Sequence, residues 1–127
     1  MEKTVLIVED SASNRKLLCE LVERVCSCTV IPAADGEEAV ALAREKLPDL
    51  ILMDLKLPGI DGVEATRRIK LDPATASIPT LALTGYITGS DEERVRAQGF
   101  DGFLPKPFNV PKLLETVSGY IPPRKRS

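Results

Sequence analysis

Residues 50–64, LILMDLKLPGIDGVE, decide the fold. Leu50, Ile51, Leu52 and Met53 form an apolar run without alternation. A strand with one wet face alternates, whereas a strand buried on both faces does not, so the run predicts an interior strand of a parallel sheet. Asp54 follows at once. Pro58 and Gly59 then mark a loop. Asp61-Gly-Val-Glu64 closes the stretch with an N-cap acid and a Glu three residues on, a helix-start signature. The unit is therefore strand, carboxylate, loop, helix.

The same unit recurs on either side. Further strands are predicted at Val5 to Val8, at Thr29 to Ile31 before Pro32, at Leu81 to Leu83 after Thr80, and more weakly at Gly102 to Leu104. Asp35-Gly-Glu-Glu38 and Ser90-Asp-Glu-Glu93 repeat the helix start. The first helix is predicted from about Ser11–Ser13 to Val25, with Leu17, Leu18, Leu21, Val22 and Val25 at helical spacing. The last begins after Asn109 and turns Leu113, Leu114 and Val117 inward. Five β-α units in one chain predict an α/β fold. The expected form is a flavodoxin-like, doubly wound, five-stranded parallel sheet of order 2-1-3-4-5 in a three-layer αβα sandwich. Residues 1–121 are read as one domain and 122–127 as a short basic tail.

Composition removes several functions. The net charge is −2, which gives no electrostatic footprint for nucleic acid. The basic run Arg124-Lys125-Arg126 reads as a solvated tail. No apolar stretch approaches the roughly 20 residues needed to span a bilayer. The N-terminus carries no signal-peptide pattern, so the cytoplasm is the expected compartment. Cys19, Cys26 and Cys28 make no even disulfide framework. The chain has no His, so Cys26-x-Cys28 lacks partners for a closed zinc site.

In open α/β sheets ligands bind outside the carboxyl ends of the strands. Glu9 and Asp10 follow the first strand, Asp54 the third, Thr84 the fourth and Lys106 the fifth. Strand two ends in Pro32-Ala33-Ala34 and offers nothing reactive. Three carboxylates opposed by one lysine are unfavourable unless a cation enters or a pKa rises. Hard oxygen ligands suit Mg²⁺ or Mn²⁺. A carboxylate can act as a nucleophile toward phosphorus, with Lys106 and the metal neutralising phosphoryl oxygens and the Thr84 hydroxyl donating to them.

These residues resemble the response-regulator receiver domain of two-component signalling. The matching segments are VLIVEDS (5–11), DLILMDLKLPGIDG (49–62), LALTG (81–85) and FLPKPF (103–108). Among receivers, the chain resembles the small stand-alone regulators of the DivK type. The resemblance implies that Asp54 is the phosphoacceptor in a phosphorelay and that the chain is a signalling module rather than an enzyme. It implies that Asp10 and Asp54 ligate Mg²⁺, with Glu9 acting through a water and Lys56 through its backbone carbonyl. Lys106 is then the partner of Asp54, and the Lys106-Pro107 bond is expected to be cis. Thr84 and Phe103 become the switch pair, although Phe103 lacks the hydroxyl of the Tyr found in many relatives. Lys56 and Tyr86 flank the phosphoryl position. A histidine kinase or histidine phosphotransfer protein is expected to dock on the first helix near Ser13, Asn14 and Leu17, with Leu17 equally readable as core. A downstream protein is expected on the strand four, helix four, strand five, helix five face, where Arg94, Gln98 and Lys112 are candidates.

Two other readings bear on the same residues. With only seven residues after Tyr120, no DNA-binding domain is expected, unless the receiver is a piece of a larger regulator or hybrid histidine kinase. A haloacid-dehalogenase-type phosphatase also forms an aspartyl phosphate. It needs an acid two residues after the nucleophile, where Lys56 stands. A pseudo-receiver that binds without phosphorylation would not need the full residue set.

Overall fold

The computed structural model describes residues 3–85, 89–106 and 110–121, with main chain only at 89–92. Strands and helices alternate: β1 Lys3–Val8, α1 Ala12–Val25, β2 Cys28–Ala33, α2 Gly36–Lys46, β3 Leu50–Asp54, α3 Gly62–Leu71, β4 Thr80–Thr84, α4 Gly89–Ala97, β5 Gly102–Pro105 and α5 Val110–Val117. All strand pairs are parallel and their order is β2-β1-β3-β4-β5, as the sequence predicts. β3 is buried at every position, the reason its sequence does not alternate.

Strand periodicity divides the core between the two faces of the sheet. Val5, Ile7, Leu50, Leu52, Leu81 and Leu83 pack with Leu18 and Val22 of α1 and Leu113 and Val117 of α5. Leu6, Val8, Ile51, Met53 and Ala82 pack with Ala39 and Ala43 of α2, Ala65 and Ile69 of α3, and Val95 of α4. The result is three layers.

The helix starts form at the predicted acids. Asp35 accepts a bond from Glu38 N at 2.8 Å, and Asp61 from Glu64 N at 2.8 Å. The capping box does not close in either case. Glu38 reaches past its cap to Ala34 N at 2.7 Å, and Glu64 turns to Arg67 and Arg68. The Ser90 cap lies outside the described side chains.

Three differences from the sequence expectation have simple causes. β2 continues through Pro32 to Ala33, which an edge strand tolerates because its outer N–H groups need no partner. Asp54 and Thr84 are the last residues of their strands rather than the first beyond them. Leu17 is 52% exposed and is not core, because the buried stripe of α1 runs through Leu18 and Val22, flanked by half-buried Leu21 and Val25. The three cysteines are free thiols, two of them buried. No helix among the described residues is long and apolar enough to cross a membrane.

Candidate functional site

Four neighbouring strands deliver polar groups to one rim. Glu9 leaves β1 but stays tied to the sheet, its N–H donating to Ala33 O at 3.1 Å. Asp54 ends β3, where the register sets it beside Leu83. Thr84 ends β4. Lys106 follows β5, and its N–H donates to Thr84 O at 2.7 Å. Together with Asp10, Ser11, Asn14 and Lys56 they line a cavity of about 410 Å³.

Glu9 is 2% exposed and Asp54 5% exposed. Two buried carboxylates require partners, because desolvation of an unpaired charge costs several kcal/mol. Lys106 serves both. Its Nζ donates to Asp54 Oδ2 at 2.9 Å and to Glu9 Oε2 at 3.0 Å. The second Asp54 oxygen, Oδ1, accepts from Lys56 N at 3.0 Å. Both Asp54 oxygens are therefore directed by hydrogen bonds, and the carboxylate plane is held by the start of its own loop and by a residue from β5's end.

The charge is unbalanced. Carboxylate oxygens of Glu9, Asp10 and Asp54 lie within 4.8 Å of one another, against a single ammonium. Burial pushes the Glu9 carboxyl up, and the neighbouring Asp54 adds to the rise more than Lys106 offsets it. Burial works against the Lys106 ammonium, but its hydrogen bonds to Asp54 and Glu9 outweigh that and raise its pKa. The proton stays on Lys106, while the acids lack a full complement of positive charge. Asp10, the exposed member, leaves the cluster open to solvent.

The remaining predicted residues are placed as follows. The Lys56 side chain is exposed beside Asp54. Phe103 is half-buried and packs against the α2–α3–α4 side of the sheet. Ala82 pairs with Phe103 across β4 and β5, so strand period two puts half-buried Thr84 on the same face as that ring. Ser13, Asn14 and Leu17 are exposed on α1, Arg94 is exposed on α4, Gln98 is exposed in the turn that follows α4, and Lys112 is half-buried on α5. Tyr86 and the Pro107 peptide lie outside the described residues, as does the 122–127 tail.

The sequence reading missed three contributors. Arg15 Nη1 donates to Glu9 O at 2.8 Å and to Asp10 O at 3.4 Å. Gly62 lies against the Asp54 main chain, and Gly36 against Ile60. An arginine in a first helical turn and a glycine after a capping acid carry no distinctive local pattern.

Comparison with known proteins agrees with this arrangement. Residues 5–118 match the family described as response regulator receiver domain. The chain is 42% identical over 121 residues to the polar-differentiation response regulator DivK of Brucella anthropi, covering 95% of this chain and 98% of that protein. The receiver domain of the sensor histidine kinase PA1611 from Pseudomonas aeruginosa PAO1, which holds a magnesium ion in its active-site cleft, superposes with a TM-score of 0.85 at 31% identity, over 94% of this chain and 98% of that one. The receiver domain of Saccharomyces cerevisiae Ssk1, in complex with the histidine phosphotransfer protein Ypd1, gives a TM-score of 0.82 at 28% identity, over 94% and 88% of the two chains. With its β2-β1-β3-β4-β5 sheet and this coverage, the chain belongs to the response-regulator receiver domain family of two-component signalling, and among those relatives it is DivK-like.

Proposed function

We propose that Asp54 accepts a phosphoryl group from a phosphohistidine donor with the help of Mg²⁺ or Mn²⁺, and that the chain works as a signalling module without turnover of a small substrate. The observation that carries this is the buried Asp54 carboxylate, oriented by Lys106 Nζ and Lys56 N, beside two further acids in an open cavity. The donor set is all oxygen, which fits a hard divalent cation. The residues to hold it are Asp10 and Asp54, the Lys56 carbonyl, and Glu9 through water. Held there, the cation would supply positive charge to neutralise the phosphoryl oxygens.

The residues of the chain do the rest. An Asp54 carboxylate oxygen forms a bond to phosphorus as the P–N bond of the donor breaks. The electron pair stays on the imidazole nitrogen, and the product on the chain is an acyl phosphate. Lys106, kept protonated by its two acids, moves its hydrogen bond from Asp54 to the phosphoryl oxygens. The Thr84 hydroxyl turns to the same oxygens, and Phe103, on the same face of the sheet, takes up the space released. A charge of about −1.5 to −2 at one point thereby biases a two-state element. Lys56 and Tyr86 shield the group from water and set its lifetime.

The Ssk1–Ypd1 complex supports a phosphotransfer partner, and exposed Leu17 with Ser13 and Asn14 offers it a surface on α1. The downstream partner reads the β4-α4-β5-α5 face. The test is incubation with acetyl phosphate and Mg²⁺ followed by intact mass. Wild type is expected to gain one phosphoryl group, and Asp54→Asn none. Equal labelling of both proteins overturns the assignment.

A further inference from the structure

We propose that Arg15 is a positioning residue of the acidic cluster: its guanidinium holds the main-chain carbonyls of Glu9 and Asp10, and so aims both carboxylates at Asp54. The proposal rests on reading Glu9, Asp10 and Asp54 as a cation site. Arg15 lies in the first turn of α1, where the helix dipole disfavours a positive charge and where no acidic residue offsets it. Among the described residues no carboxylate lies within ion-pair distance of its guanidinium. Its bonds go instead to Glu9 O at 2.8 Å and Asp10 O at 3.4 Å. A charge-assisted bond to a carbonyl is roughly twice as strong as a neutral one.

The placement is behind the site, not in it. Arg15 is absent from the lining of the cavity that holds Asp54. It lines a separate cavity of about 250 Å³ with Pro32, Ala33, Ala34 and Glu38. From there it fixes the turn between β1 and α1 on the carbonyl side. The same turn is held on the carboxylate side by Ser11 N to Glu9 Oε1 at 3.4 Å and by Lys106 Nζ to Glu9 Oε2 at 3.0 Å. With both carbonyls held, the peptide planes on either side of Asp10 cannot rotate freely, which restricts the direction of the exposed Asp10. The Arg15 main chain is itself rooted in the cap, since Arg15 N donates to Ser11 O at 2.8 Å.

Position and charge predict opposite signs for removal of this side chain. Arg15 brings a positive charge close to a cation site, so deleting the charge alone would tighten Mg²⁺ binding. Losing the clamp would weaken it, because residues that orient ligands from behind a metal typically carry about 10-fold or more in affinity. The experiment is a Mg²⁺ titration followed by backbone amide NMR shifts, with calorimetric melting of the metal-free proteins alongside. Arg15→Ala is expected to bind Mg²⁺ about tenfold more weakly. Arg15→Lys, which keeps the charge and one donor group but loses the planar fork, is expected to fall between the two. A merely structural role would lower the melting temperature and leave the affinity of the folded protein unchanged. Unchanged or tighter binding in Arg15→Ala overturns the proposal, and so does weaker binding in Arg15→Lys than in Arg15→Ala. A wild-type protein that binds no Mg²⁺ strikes the cation-site reading itself, and is distinguished by failing before any variant is compared.

Discussion

Gly62, the first residue of α3, lies so close to the main chain of Asp54 that a Cβ there would overlap the Asp54 carbonyl oxygen. Its N–H donates to Leu55 O at 3.1 Å. The start of α3 is thereby seated on the end of β3, and the loop between them must depart and return at that point. Gly36 makes a similar approach from α2, where a Cβ would stand 2.7 Å from the Ile60 carbonyl oxygen. The loop that carries Lys56 is thus bounded by two places where only hydrogen fits.

Gly62→Ala tests this contact. Alanine would gain up to about 1 kcal/mol of helix propensity. Overlap with backbone cannot be relieved by a side-chain rotation, and overpacking costs about 1–3 kcal/mol. The overlap is expected to win, giving a net loss in urea unfolding. Gly119→Ala, which meets nothing within 4 Å, serves as the control, and a surface change of that kind stays within about 0.5 kcal/mol of wild type. A neutral Gly62→Ala would show that α3 can shift away from Asp54.

Lys106→Ala removes the ammonium bonded to both Asp54 and Glu9. Breaking a fully buried pair costs about 3–5 kcal/mol, and the 28% exposure of the Lys106 side chain places this pair below that range, at about 1–3 kcal/mol. The loss should appear in metal-free protein and narrow when Mg²⁺ supplies a replacement charge. Denaturant midpoints with and without Mg²⁺ measure both. Equal stability of wild type and variant without metal would contradict the pairing.

Lys56→Ala and Tyr86→Ala address the lifetime of the phosphorylated protein. Lys56 is exposed beside a carboxylate that sits in an open cavity, so its stem can cover a phosphoryl group on Asp54. Either truncation is expected to speed hydrolysis, by about tenfold at most for an interaction of roughly 1.4 kcal/mol. Decay of the phosphorylated species by mass spectrometry reads the lifetime. No change in either variant removes the shielding role.

Glu64 should titrate well below the ordinary glutamate value. Its hydrogen bonds from Arg67 and Arg68, at 2.7 and 2.8 Å, pull its pKa from 4.5 down to about 2. The sign is that of a depressed acid: its favourable contribution is present above pH 4.5 and fades as pH falls toward 2. The group is solvent-exposed, so salt weakens the effect. A carbon-detected NMR titration should return Glu64 toward 4.5 in the Arg67→Ala, Arg68→Ala double variant. A normal midpoint in wild type would show that solvent already screens the pair.

Much of this was legible in the residues. Apolar runs such as Leu50 to Met53 and caps such as Asp35 and Asp61 are local signals, read within a few residues, and they were found where they were expected. The polar rim followed from them together with the strand order expected of the fold class. Leu17 was ambiguous because helical spacing alone does not say how wide the buried stripe is, and only the packing of Leu18 and Val22 against the sheet settled it.

The linear chain was enough to establish the alternation of strands and helices and the identity of the residues at the strand ends, because each depends on periodicity and capping within one segment, whereas the sheet order was an expectation of the fold class that strand pairing bears out. Tertiary structure alone decided how those residues meet. Lys106 is 52 positions from Asp54 and 97 from Glu9, yet one ammonium joins them. Arg15 turns from the acids to their carbonyls, and Gly62 is required by a backbone it approaches only after α3 folds back. Such contacts depend on where separate segments converge, and no local pattern encodes that position.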